Sequence, residues 1–416
     1  MSVDDSKSTT TSPVDRRSGA AVACALLLAN ISNYGFQVLT GRLLSVEEYG
    51  LLSGFMAALT IVTVSTSALQ TTAARAVAAG ENRPGQSSFI DNLTQTSMVG
   101  ALIGGVAIAL AAPILSRFFN IGALPILFLG LYVMPAVLDS IAAGRLQGSQ
   151  KFRTLAIYSA SQAAVKLGVA YFVLLAGFRV SGLVGGLVVS SSCVAIWGMF
   201  ASRDVGAIHT HALSPDARRG FVAFTLLWVM LSADIAFARA FFEPRNAGVY
   251  AAAAVLGKAV LWLPTVVTQL LFPSFVSRSG KGEAAGQLMG RAILVVLGLS
   301  SVTCLGLAIL GKLVFGFLYG NRYAGASNIA WQIGLAMIPL AIVNLLLFHF
   351  LARGQNRFLV WMGAATIGEI CALYLGPKTG GWYATILGLT GVALLLSLIP
   401  GNAWRRFPEV LGRASE

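Results

Sequence analysis

Charge is scarce in this sequence: Asp, Glu, Lys and Arg together supply 11% of its 416 residues, against 56% hydrophobic residues and a mean hydropathy of +0.77. A soluble fold of this size could not cover its surface with polar groups on that composition, which excludes an ordinary globular class. Cysteine is scarce too. Cys24, Cys193, Cys304 and Cys371 fall in four separate apolar stretches without ligand spacing, so neither a disulfide framework nor a metal centre is implied. Histidine is limited to His209, His211 and His349, and the HxH pair lacks carboxylate or cysteine company, so it reads as solvated loop. No cofactor is implied. A phosphate-cradling glycine loop and a Walker motif are missing, which argues against ATP drive within the chain. Long polar insertions are missing as well. No external loop is large enough to carry a catalytic acidic pair, which argues against an enzyme such as a membrane glycan polymerase, ligase or glycosyltransferase.

What is present is a succession of apolar stretches of about 20 residues, each enough to cross a ~30 Å hydrocarbon core. They fall near 20–40, 50–72, 93–115, 121–141, 155–177, 181–201, 220–241, 248–272, 291–311, 326–350, 358–376 and 381–400. Residues 1–18, rich in Ser, Thr and Asp, read as a disordered tail, and the apolar run after them is too long for a signal-peptide core, so it reads as a retained first helix. The net charge of +13 does not form a nucleic-acid patch; the basic residues alternate between loops. With the N-terminus in the cytoplasm, Lys and Arg on cytoplasmic segments outnumber those outside by more than two to one, which places both termini inside and requires an even helix count.

The chain also reads as two halves. LQGSQKF (146–152) follows the fourth stretch and LARGQNRF (351–358) the tenth, while GRLLSVEEYG (41–50) and ARAFFEPRNAGVY (238–250) join the first to the second and the seventh to the eighth. The shared order and offset predict a duplicated six-helix unit, repeated in parallel about an axis along the membrane normal, with a cavity between the copies. The expected organisation is a tail (1–18), an N-terminal six-helix bundle (19–201), a cytoplasmic linker (202–219), a C-terminal bundle (220–401) and a second tail (402–416). The fold class is therefore an all-α integral membrane protein of about twelve transmembrane helices in two pseudo-symmetric six-helix bundles.

A polar residue facing lipid has no partner, so polar stripes at helical spacing mark inward faces. Asn30, Asn33 and Gln37 form one in the first stretch, Thr60, Thr63, Ser67 and Gln70 one in the second, and Ser159, Gln162 and Lys166 one in the fifth. Thr225, Ser232 and Arg239 recur every seven residues in the seventh, and Lys258, Thr265 and Gln269 share a face with Trp262 in the eighth. Hydroxyl stripes alone are explained by hydrogen bonds between helices.

Ionisable residues at depth are less easily explained, since a charge at the bilayer centre costs ~2.5–3.5 kcal/mol even on the insertion scale. Lys166 and Lys258 both fall ~15–18 Å from a membrane surface, near the midplane, and suggest an anionic cargo. Arg42 and Arg239 occupy equivalent positions at the outer ends of the first and seventh stretches; snorkelling to headgroups is the alternative, and suits Arg42 and Arg75 better than the lysines. Asp234 and Glu369 also fall inside stretches, where a buried carboxylate serves as a coupling-ion site, a proton relay or the countercharge of a lysine. Asp234 does not share the stripe of Ser232 and Arg239, so its partner belongs to another helix. Asp139, near the cytoplasmic end of the fourth stretch, reads as an interface residue. Pro135, Pro264 and Pro339 predict kinks.

The polar-striped first helix, GRLLSVEEYG, the Thr/Ser-rich second helix and the later FGFLYGNRYAGAS (315–327) resemble polysaccharide-biosynthesis membrane proteins, the Wzx-like oligosaccharide flippases of the multidrug/oligosaccharidyl-lipid/polysaccharide exporter superfamily. The resemblance implies two helical bundles that move a polyprenyl-pyrophosphate-linked glycan from the inner to the outer leaflet by alternating access; the lipid carrier together with the high Ala, Gly and Val content suggests a bacterial plasma membrane, and the protein works there either alone or beside polysaccharide synthase or polymerase partners. Cationic groups would then hold the pyrophosphate. The expected cargo contacts are Lys166, Lys258, Arg42 and Arg239, with Asn33, Gln37, Gln70, Gln162 and Gln269 in support; Asp234 and Glu369 are the coupling-ion candidates. A drug or organic-cation exporter on the same fold is the nearest rival, and a membrane scaffold without transport is another.

Overall fold

The computed structural model describes residues 13–78, 89–203, 215–264, 282–352 and 357–398, and among these residues helices are the only regular elements. This follows from the solvent: in hydrocarbon every backbone N–H and C=O must be paired within the chain, and a helix does so locally. The N-terminal half contains α1 (Pro13–Leu43), α2 (Val46–Ala78), α3 (Phe89–Leu110), the short α4 (Ala112–Phe118), α5 (Ala123–Gly148), α6 (Phe152–Leu175) and α7 (Val180–Ala201). The C-terminal half contains α8 (Pro215–Phe241), α9 (Pro244–Gly257), α10 (Gly282–Leu318), α11 (Ala326–Ala352), α12 (Arg357–Leu375) and α13 (Gly380–Leu398). Eleven helical segments among the described residues are long and apolar enough to cross a membrane. The remaining expected stretch lies in α1, which at 31 residues is ~46 Å long and also suffices.

Several boundaries move from those expected, each for a local reason. The helix at the N-terminus begins at Pro13, inside the segment read as a tail; proline favours a first turn because its missing N–H has no partner there anyway. The third stretch breaks at Ala111, where Pro113 opens α4. α2 starts on a reciprocal capping box: the Ser45 amide donates to Glu48 Oε2 at 2.9 Å, and the Glu48 amide donates to Ser45 Oγ at 3.2 Å. α9 starts on Glu243 followed by Pro244, loses its regular ladder at Lys258, and continues helically to Pro264.

The two halves share one internal plan. In the first, α1 packs on α6, α2, α3 and α7 on α5, and α6 on α7; in the second, α8 packs on α12, α9, α10 and α13 on α11, and α12 on α13. Every one of those pairs has its counterpart in the other half. The central helices α5 and α11 are largely buried, and each carries one internal proline, Pro135 as the thirteenth residue and Pro339 as the fourteenth. α3 and α10, each packed mainly on the central helix of its half and exposed along most of its length, form the rims of their halves. The expectation of two pseudo-symmetric six-helix bundles is thus met.

Contact between the halves concentrates where α1 ends and α2 begins. α2 packs on both α8 and α9, and Gly50 and Gly248, each the fifth residue of its helix, meet there. A Cβ on Gly248 would lie 1.9 Å from the Val46 carbonyl oxygen, and one on Gly50 would lie 2.7 Å from the Gly248 nitrogen. Only the absence of both side chains lets the backbones come this close.

Candidate functional site

Three polar assemblies arise from this packing. The first is in the N-terminal bundle. The α1–α6 contact brings Lys166 to Asn33, whose Oδ1 accepts a hydrogen bond from the ammonium, and sets that ammonium 5.0 Å from the centre of the Phe36 ring. No carboxylate among the described residues lies within salt-bridge distance of Lys166. Four residues earlier on the same face, Gln162 reaches Asp139 of α5, which also accepts a hydrogen bond from the Tyr158 hydroxyl. Asp139 therefore links α5 to α6. Gln70 donates to Gln147 Oε1 at 3.1 Å, and Ser140 to Thr66 at 2.8 Å, so part of the α2 stripe is spent on α5.

The second assembly is the core of the C-terminal bundle. Lys258 Nζ donates to Asp234 Oδ1 and to the Leu231 carbonyl, both at 2.7 Å, and the Tyr250 hydroxyl donates to Asp234 Oδ2 at 2.9 Å. Asp234 is 0% exposed and Lys258 6%. Glu369 of α12, 1% exposed, lies within electrostatic reach of both, yet neither of its carboxylate oxygens has a hydrogen-bond partner among the described residues.

The third assembly closes the space between the halves at the end where α2 starts. Arg42 donates through Nε to the Leu318 carbonyl at 2.8 Å and through Nη2 to the Phe317 carbonyl, while Arg322 donates back to the Arg42 carbonyl at 2.6 Å. Tyr49, Tyr319 and Tyr323 are fully buried with ring centres 5.4–5.9 Å apart, and Gln37 accepts the Tyr49 hydroxyl at 3.2 Å. Arg239 lays its stem on Gly54 and donates to the Asn120 carbonyl, again across the halves. Arg179 clamps Glu48 from α7 with both oxygens engaged, 2.6 Å at the longer contact. The tyrosines of this latch were not singled out from the sequence. Their signal was present in FGFLYGNRYAGAS, where Tyr319 and Tyr323 bracket Gly320 at φ +86°.

The residues predicted from stripes thus divide. Lys166, Asn33, Gln162 and Asp139 meet in the first half, and Lys258, Asp234 and Glu369 in the second. Arg42, Arg239 and Gln37 belong to the latch, Gln70 to an α2–α5 contact, and Gln269 lies outside the described residues. An apolar cleft of about 720 Å³ lies beside α1, lined by Ser32, Val38, Leu39, Leu167, Tyr171 and Phe317, with Arg42 at one end. It opens on the side of α1 away from Asn33 and Gln37. No group of three or more metal-ligating side chains occurs among the described residues.

The fold is that of known transporters. An inward-facing multidrug resistance MATE family transporter of the MOP superfamily superposes with a TM-score of 0.68 at 14% identity, covering 92% of this chain and 95% of that one. Lipid II flippase MurJ, in an inward closed conformation, gives 0.64 at 14% identity over 94% and 90%. The MATE multidrug transporter DinF-BH gives 0.60 at 11% identity over 99% of both. No curated protein matches the sequence at a significant level. A family model described as polysaccharide biosynthesis protein matches residues 38–328, from the end of α1 to the start of α11. By that match, which spans well over half of its length, the chain belongs to the polysaccharide biosynthesis protein family.

Proposed function

We propose that this multi-pass membrane protein is a flippase, moving an anionic lipid-linked glycan of the polyprenyl-pyrophosphate type from the inner to the outer leaflet by alternating access. The observation that carries the reading is Lys166: an ammonium in the first bundle, positioned by Asn33 and Phe36, with no carboxylate among the described residues to neutralise it. A pyrophosphate is the complementary charge, and the amides of Asn33 and Gln162 suit sugar hydroxyls. Lys258 is less suited to cargo, because Asp234 already holds it. The apolar cleft beside α1 suits an isoprenoid chain, which needs no polar partners.

On this reading both termini lie in the cytoplasm of a bacterial cell, as the distribution of Lys and Arg predicts, so that the latched end faces outward and cargo loads from the inner leaflet. The closest functional competitor, export of an organic cation, draws support from Asp139, a carboxylate beside Lys166's stripe. Flipping of a fluorescent polyprenyl-pyrophosphate glycan in proteoliposomes separates the two. Lys166→Ala is expected to lower its transport about ten- to a hundredfold, the equivalent of the ~1.5–3 kcal/mol of a charged hydrogen bond, with partial rescue by Lys166→Arg. Movement of a fluorescent organic cation without any flipping of the glycolipid would transfer the assignment to the exporter.

The latch supplies a second expectation. Cysteines at positions 42 and 318, joined by a short bismaleimide in a background without the native cysteines, tie α1 to α10 across the halves. Transport should stop on cross-linking and persist in the unreacted protein. Unchanged transport after complete cross-linking would exclude rocking of the halves at this end.

A further inference from the structure

The core of the C-terminal bundle contains two carboxylates and one ammonium, and nothing else charged among the described residues reaches them. From α8 comes Asp234, with both oxygens engaged; from α9 come Tyr250, which donates to Asp234, and Lys258 at its end; from α13 comes Tyr383, whose hydroxyl donates to the Leu373 carbonyl at 3.2 Å. Glu369 on α12 is left over. It is as buried as its neighbours, and among the described residues neither of its oxygens has a donor. An ionised carboxylate in that position would have neither water nor a hydrogen bond, whereas a neutral carboxyl leaves only an ordinary polar group unsatisfied. Counting charge gives the same answer: one lysine balances one carboxylate, and the second must carry a proton.

The contacts of Lys258 supply a separate observation. Its Nζ donates to a carboxylate oxygen and a backbone carbonyl oxygen at 2.7 Å each, acceptors of the kind that also coordinate a monovalent coupling ion. The ammonium is tethered there by its own chain and cannot diffuse away.

We propose that Glu369 is the proton-carrying group of this transporter, and that Lys258, seated on Asp234 and Leu231, fills the place a coupling sodium ion would take, so that transport is coupled to protons and indifferent to sodium. When the halves rock and water reaches α12, the Glu369 carboxyl gives its proton to that water. The resulting carboxylate competes with Asp234 for Lys258, whose third N–H has no acceptor among the described residues. The transfer of the lysine between α8 and α12 then links protonation to the relative position of two helices that pack directly. This rests on the transport reading but not on the identity of the cargo.

The test needs no cargo. In full-length protein reconstituted in lipid nanodiscs, the infrared carbonyl band of a protonated carboxyl should be present at neutral pH and should disappear in Glu369→Gln, a neutral isostere expected to insert and melt as wild type does. Sodium chloride, compared with choline chloride at equal ionic strength, should leave the melting temperature of wild type unchanged but raise that of Lys258→Met, whose vacated oxygens can accept the ion. A missing band, a band that survives Glu369→Gln, or sodium-specific stabilisation of wild type that Asp234→Asn removes would each overturn the proposal. If Lys258→Met does not insert, the infrared comparison decides alone. Neither readout involves glycolipid, so a failed flipping assay leaves this result standing, and a failed infrared result leaves the cargo assignment standing.

Discussion

Gly248→Val should abolish the latched arrangement of the two halves and reduce transport to background, while Gly306→Val, in the rim helix α10, should do neither. The contrast comes from what each new side chain would meet. At Gly248 the obstacle is the Val46 carbonyl oxygen, 1.9 Å from the added Cβ, and a backbone atom inside α2 cannot move aside as a side chain can. At Gly306 nothing lies within 4 Å. Overpacking a well-filled core costs ~1–3 kcal/mol when side chains absorb it; separating two helices that also carry the Arg42, Tyr49 and Arg239 contacts should cost at least that. Accessibility of a cysteine at position 319 to a water-soluble maleimide reads the effect directly. Strong labelling in Gly248→Val and none in Gly306→Val is the expected pattern, and equal protection in both would show that the halves do not meet at this glycine.

The second large effect concerns stability. Lys258→Met removes the partner of a fully buried carboxylate, a change that costs ~3–5 kcal/mol because Asp234 is left charged and uncompensated. Lys258→Met combined with Asp234→Leu takes both charges away and should recover most of the loss, since buried ion pairs replaced by apolar residues of similar volume are often neutral or stabilising. Thermal unfolding in detergent, followed by tryptophan fluorescence, gives the double-mutant cycle. If the double variant is no more stable than the single one, the two groups are not coupled as their 2.7 Å contact implies.

The transmembrane architecture was legible because lipid leaves so few choices. An apolar run of about 20 residues must be helical, and both the order of the loops and their offset carried the duplication. The paired positions of Pro135 and Pro339 had been noted only as two kinks; their equivalence became visible once α5 and α11 proved to be the same helix of each half. The site was legible in composition but not in partnership. Helical periodicity placed Lys166 and Lys258 on polar faces of their own helices, and by that measure they were alike. What separates them is the neighbour across the interhelical gap: Asn33 for one, Asp234 for the other. Angular position had required a partner for Asp234 on another helix without saying which. Arg42 and Arg239 lie at the ends of their helices, but their acceptors are carbonyls in the last turn of α10 and in the α4–α5 loop, groups that no side-chain pattern records.

The meeting of Gly50 with Gly248 bears on how such a chain came to exist. Two equivalent points that touch lie on the dyad relating their halves, and a residue on a dyad faces its own copy. In a single six-helix protein pairing with itself, any side chain at that position would have to fit against an identical one, so one substitution would be felt twice. Glycine is the residue that meets itself at the least distance. After fusion the two positions became free to diverge, yet this chain keeps glycine at both, so the joint between the halves retains the form of a homodimer contact within one polypeptide.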